Sequence, residues 1–154
     1  MPSKKPKDIT RVLASARFAS PVDRTTLSLG QFTANTTVTP APRFTVDRLL
    51  VVRELWIACD AIPSDTDGTM VVNAKVNDIT EGADDVIVSA QDLETLIVAA
   101  NKGYKMTLAA ETSENELTLE PGDTLRFELV NNSAAINTNV NVSITVIFQT
   151  LKAL

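Results

Sequence analysis

The sequence predicts an all-β fold, an antiparallel sandwich or barrel, and three observations carry that reading. Apolar and polar residues alternate in one segment after another, which is the period of a half-buried strand. The segments recur at a spacing of roughly 8–14 residues, with Pro, Gly, Asn and Asp between them. No strand–helix alternation of the kind that builds a parallel sheet is present.

Residues 1–25 come first and do not fit that pattern. They hold three prolines, several Ser and Thr, and few large apolar groups. Such a stretch offers too little burial to offset its ordering entropy, so an extended arm is expected ahead of a domain spanning 26–154. Within the arm, Ile9, Val12, Leu13 and Ala16 have the 3–4 spacing of a helical turn that forms on docking. From Thr26 the pattern becomes β. Leu27 and Leu29 alternate with Ser28 and Gly30, and the Thr-rich stretch 33–39 closes at Pro40 and Pro42.

Phe44 to Cys59 is the longest apolar run. Read as one uninterrupted strand, it puts Leu50, Val52, Glu54, Trp56 and Ala58 on one face and Leu49, Val51, Arg53, Leu55 and Ile57 on the other. Apolar residues on both faces suit a central strand. A turn over Ile62–Gly68 leads to a strand carrying Met70, Val72, Ala74 and Val76. A short strand follows at Val86–Val88. Ser89-x-x-Asp92 resembles a capping box, and Leu93, Leu96, Ile97 and Ala100 predict one short helix ending near 101–103. Tyr104, Met106, Leu108 and Ala110 predict the next strand. Leu117 and Leu119 enter the turn Glu120-Pro121-Gly122-Asp123, and Leu125, Phe127 and Leu129 leave it. The last strand places Val140, Val142, Ile144, Val146 and Phe148 inward. The count is about eight strands.

Composition excludes several functions. The chain has 154 residues and no His, so there is no Ser-His-Asp or Cys-His relay, no His-ligated zinc and no imidazole switch. Cys59 is the sole cysteine and, among apolar neighbours, reads as a small buried hydrophobe. No run reaches the ~18 apolar residues of a membrane span, and the lysines at 4, 5 and 7 are not followed by the apolar core of a secretory signal. No membrane partner is expected.

The net charge of −5 is unevenly spread. Residues 1–24 carry six basic groups (Lys4, Lys5, Lys7, Arg11, Arg17, Arg24) and two acids (Asp8, Asp23), or +4. The other 8 basic and 17 acidic residues give −9. A basic arm on an acidic body points to an arm that binds an acidic partner surface through those six residues. The body should repel nucleic acid, and no nucleic-acid partner is expected.

The remaining candidates read as structural. Asp65-Thr66-Asp67-Gly68 lacks the flanking ligands of a calcium loop, with Pro63 and Ala74 where oxygen ligands would stand. Asp84, Asp85, Glu111, Glu114 and Glu116 are the densest acids and would serve a glycosidase only if two faced each other across a cleft. A solvated acidic face is expected instead. Trp56, sharing its expected face with Leu50 and Val52, reads as core. No catalytic residue, cofactor site or metal site is assigned.

Three segments resemble the small jelly-roll virion proteins of tailed bacteriophages, most of all head decoration (cement) proteins: LLVVRELWIACD (Leu49–Asp60), LTLEPGDTLRFELV (Leu117–Val130) and NVNVSITVIFQTL (Asn139–Leu151). The resemblance spans roughly 26–151. It implies a β-sandwich of jelly-roll type, a homotrimer seated on the capsid surface, the major capsid protein as partner, arms reaching over neighbouring subunits, and no enzymatic activity. The LEPGDTLRFEL turn also occurs in fibre heads and carbohydrate-binding modules. A phage tail, fibre or sugar-binding module is therefore the alternative, expected to show an exposed Trp56 or Tyr104 beside polar groups in a groove.

Overall fold

Among the described residues, ten strands form two facing sheets and one helical turn joins two of them. The computed structural model describes residues 22–31, 36–38, 44–64, 70–77, 84–108, 117–132 and 140–151. The elements are β1 (Val22–Gln31), β2 (Thr36–Val38), β3 (Phe44–Thr45), β4 (Leu50–Cys59), β5 (Met70–Asn77), β6 (Asp84–Asp92), α1 (Leu93–Leu96), β7 (Gly103–Lys105), β8 (Thr118–Leu119), β9 (Thr124–Asn131) and β10 (Asn141–Thr150).

The first sheet runs β1-β10-β4-β7 and the second β2-β9-β5-β6, with every pairing antiparallel. β8 pairs with β4 beyond β7, and β3 pairs with β9 beyond β2. If β2/β3 and β7/β8 each count as one interrupted strand, eight strands remain. Their orders are first-eighth-third-sixth and second-seventh-fourth-fifth, which is the jelly roll.

The alternation read in β5, β9 and β10 appears in the sandwich interior. Val72, Ala74 and Val76 on β5, Leu125, Phe127 and Leu129 on β9, and Val142, Ile144 and Val146 on β10 are all buried. Their polar neighbours face outward because successive side chains point to opposite faces. The Glu120–Asp123 turn is pinned to the chain before β4. Val46 N–H donates to the Asp123 carbonyl (2.9 Å) and Gly122 N–H to the Val46 carbonyl (2.8 Å). Asp123 is fully buried, and its carboxylate accepts the Glu120 N–H at 2.9 Å. Gly122 supplies the positive φ (101°) that this turn requires.

Several local expectations need correction. The first strand starts at Val22 rather than near Thr26, so Asp23 and Arg24 lie on β1. The charge division survives, because Asp23 and Arg24 cancel: +4 remains on 1–21 and −9 on the rest. The helix is one turn, Leu93–Leu96, capped by Asp92, whose carboxylate accepts the Glu94 N–H at 2.9 Å. Ser89 lies within β6, which is longer than the expected Val86–Val88 because it continues pairing with β5 through a bulged register. Beyond Lys105, Met106 and Leu108 are buried without being strand. The Met106 N–H still bonds to the Leu55 carbonyl at 2.8 Å.

A further correction concerns β4. Ile147 of β10 pairs with Glu54 and Phe148 with Val52, leaving Arg53 as an extra residue, a β-bulge. Before it Leu50 and Val52 point into the core. After it Leu55, Ile57 and Cys59 do. The bulge therefore turns Trp56 onto the outer face, where it is half-buried rather than core. Phe148 is also only half-buried, at the margin of the core.

Phe127 is 1% exposed at the centre of β9, whereas Val86 is 42% exposed. Phe127→Ala is expected to lower unfolding free energy by about 3–5 kcal/mol in a urea titration. Val86→Ala should stay within about 0.5 kcal/mol of the parent. Comparable losses at the two sites would contradict this assignment of the core.

Candidate functional site

The antiparallel register gives the sandwich two distinct ends. At one lie Val22, Leu50, Thr118 and Thr150, and at the other Gln31, Cys59, Gly103 and Asn141. Val22, the first described residue, lies at the first end. A cleft of about 400 Å³ opens there between β1 and β3. Phe44, Val46, Leu50 and Phe148 give it apolar walls, with the Phe44 and Phe148 rings 5.4 Å apart and tilted by 42°. Asp23, Arg24, Asp47 and Arg48 add charge to the lining. Arg48 Nε donates to Asp47 Oδ1 at 2.8 Å, and this bond holds the Asp47 carboxyl below its ordinary range. Both side chains are exposed, so the pair adds little stability.

Of the six basic residues expected to bind a partner, Arg24 is exposed on β1 at the rim of this cleft. Lys4, Lys5, Lys7, Arg11 and Arg17 lie outside the described residues, as does the apolar set Ile9–Ala16. The Asp65–Gly68 turn and Glu111, Glu114 and Glu116 also lie outside them. Asp84 is on the outer face of β6, ion-paired with Arg126 and accepting the Asn77 amide at 3.1 Å. No group of three or more Cys, Asp or Glu side chains among the described residues is arranged to hold a metal ion. No helix among them is long and apolar enough to cross a membrane.

The outer faces of the two sheets differ. On the second sheet Lys75 pairs with Glu128 (2.9 Å) beside the Arg126–Asp84 pair. On the first sheet small neutral residues share the outer face with Trp56, Glu54 and Lys105. Cross-strand register aligns Thr26, Thr145, Trp56 and Lys105 in one row and Ser28, Ser143, Ala58 and Gly103 in the next. Thr26 and Thr145 share a hydroxyl–hydroxyl hydrogen bond of 2.9 Å. Trp56 Nε1 donates to Glu54 Oε2 at 2.6 Å, and Lys105 Nζ reaches Glu54 Oε1 at 3.2 Å. The indole bond first, and the lysine second, draw the Glu54 carboxyl below its ordinary value. Sequence reasoning missed this surface because the bulge that exposes Trp56 has no side-chain signature.

At the far end of the same face Asp60 clamps Asn141. The Asn141 N–H donates to Oδ1 (2.8 Å) and its amide to Oδ2 (2.5 Å), which lowers the Asp60 carboxyl. Cys59 beside it is 1% exposed, and burial pushes its thiol up to about 11. It behaves as the buried hydrophobe expected of it.

No protein-family model matches the chain, and no curated protein matches it. Solved structures do. The capsid of Ralstonia phage GP4 contains a chain that superposes with a TM-score of 0.51 at 11% identity, covering 88% of this chain and 86% of that one. The two share a fold. A chain of the cyanophage Pam1 capsid matches at a TM-score of 0.48 and 14% identity, covering 86% and 85%. A chain from infectious bursal disease virus, Gx strain, matches at 0.48 and 12%. Here 86% of this chain covers only 33% of the viral one, so this chain spans about a third of its length. The likeness to the GP4 chain supports the all-β jelly roll over nearly the whole length of both chains.

The Glu54–Trp56 bond gives a direct readout, since Trp56 is the only tryptophan. A carboxyl lowered in the folded state stabilises the fold above its unfolded pKa, and that contribution disappears as pH falls through the folded value. Trp56 emission should therefore titrate in acid with a midpoint below the ~4.3 of a free Glu. Glu54→Gln should flatten the titration. A midpoint at or above ~4.3 would contradict the bond. A thiol reagent at pH 8 should leave Cys59 unmodified in the folded chain and modify it fully in denaturant.

Proposed function

We propose that this chain is a structural virion protein that decorates a phage head. It binds the assembled shell of the major capsid protein from outside as an oligomer, a homotrimer in the simplest symmetric case, and stabilises it. It is made in the host cytoplasm and resides on the capsid surface. One observation carries the reading: a jelly roll shared with a chain of a phage capsid bears a +4 segment, residues 1–21, at one end of a −9 body. In this reading the chain is structural rather than catalytic.

The physical logic is that of a clamp. A shell under internal pressure gains from bridges between subunits. Lys4, Lys5, Lys7, Arg11 and Arg17 supply charge for acidic shell surfaces, and Arg24 continues it at the root. A 21-residue extended segment reaches up to ~70 Å, enough to cross a neighbouring subunit. Individual exposed charge pairs contribute little. Several arms on one oligomer act together through effective concentration.

Two variants test this. Removing residues 1–21 spares β1, so the body should keep its β-type circular dichroism while co-sedimentation with undecorated shells is lost. In the full-length chain, Lys4→Gln/Lys5→Gln/Lys7→Gln should weaken shell binding at least ten-fold and reduce its salt dependence. Full occupancy by both variants would overturn the proposal.

A further inference from the structure

On the outer face of the first sheet, the end opposite Val22 carries a second cavity of about 310 Å³. This lies at the lower limit of the ~300–1,000 Å³ range typical of small-molecule sites. Its polar lining comes from four separated segments: Ser28 of β1, Asp60 after β4, Asn101 after α1, and Asn141 and Ser143 of β10. Ala58 contributes to the lining. One outward position further along β4 stands the half-buried indole of Trp56, next to Gly103, where a Cβ would lie only 3.7 Å from indole Cε3. Ala58, which lines the cavity, is aligned across the sheet with Gly103, so no large side chain stands at either position between the cavity and the indole.

The inventory is that of a sugar site. Serine hydroxyls and asparagine amides both donate and accept, as sugar hydroxyls do. The Asp60 carboxylate, held by the Asn141 N–H on Oδ1 and the Asn141 amide on Oδ2, is an exposed acceptor for a sugar hydroxyl. Among the described residues the side chains of Ser28 and Asn101 make no hydrogen bond. Asn101 is held by its own N–H on the Cys59 carbonyl (2.7 Å) and by a left-handed φ of 59°. An indole flank beside such groups suits the C–H face of a pyranose. A metal is not the fitting ligand, because Asp60 is the single carboxylate in the lining.

We propose that this groove binds a neutral glycan, with Trp56 packing against a ring face and Asp60, Asn101 and Ser28 reading its hydroxyls. Glycans carrying sialic acid or sulfate are disfavoured by Asp60 and by the −9 body. The site goes beyond shell binding and does not rest on it. Ser28 is six residues along β1 from Val22, so the groove lies about 20 Å from the first described residue.

The test is a printed array of neutral, sialylated and sulfated glycans probed with the full-length chain. The strongest neutral glycan, in soluble form, is then titrated against Trp56 fluorescence. Saturable binding of neutral glycans with a shift in Trp56 emission is expected. Asn101→Gly, which tolerates the left-handed backbone and removes only the amide, should lower array signal at least ten-fold while shell binding stays unchanged. Trp56→Ala should lower array signal similarly. No glycan bound, binding confined to acidic glycans, or binding that survives Asn101→Gly would each overturn the proposal, whatever the outcome for shell attachment.

Discussion

The bulge at Arg53 is the constraint on which the rest of the sandwich depends. β4 is the hub of the first sheet, pairing with β10 on one side and with β7 and β8 on the other. One extra residue in that hub inverts the facing of everything after it. Leu55, Ile57 and Cys59 enter the core, while Glu54, Trp56 and Ala58 leave it. The Arg53 guanidinium spans the irregularity by donating twice to Gln149 Oε1 of β10, at 3.2 and 2.7 Å. Without the bulge a carboxylate and an indole N–H would face the interior, and three large or buried side chains would face water. The desolvation penalty alone rules that arrangement out.

Much of the fold was legible because alternation is a direct trace of burial. Val72 to Val76, Leu125 to Leu129 and Val142 to Val146 show it without interruption, and each lies where its pattern places it. The errors occur where geometry is set by partners rather than by the residue itself. The facing of Trp56 depends on the register with β10. The start of β1 depends on pairing of Val22 with Gln149 and Asp23 with Phe148, 120-odd positions away. The helix shrank to one turn because β6 continues to Asp92, which then serves as its cap. Strand order was beyond any local signal, since every pairing in the first sheet joins segments distant in sequence.

The same reasoning explains which functional features could be read. The charge of residues 1–21 is a property of composition and needs no fold. The groove on the first sheet draws on β1, β4, β10 and the loop after α1, which only the folded topology brings together. Asp60 and Asn141 lie 81 positions apart and form the tightest polar clamp at that end. Nothing in the sequence of either segment announces the other.

If residues 1–21 bind the shell as proposed, the Val22 end of the sandwich lies against it and the Asp60–Asn101 end looks outward. Imaging the full-length chain bound to undecorated shells tests this most directly. The expected result is that the end carrying Val22, Thr150 and the Glu120–Asp123 turn faces the shell, with Asp60 and Asn101 pointing away from it. A bound chain with Asp60 and Asn101 buried against the shell and Val22 facing outward would contradict it.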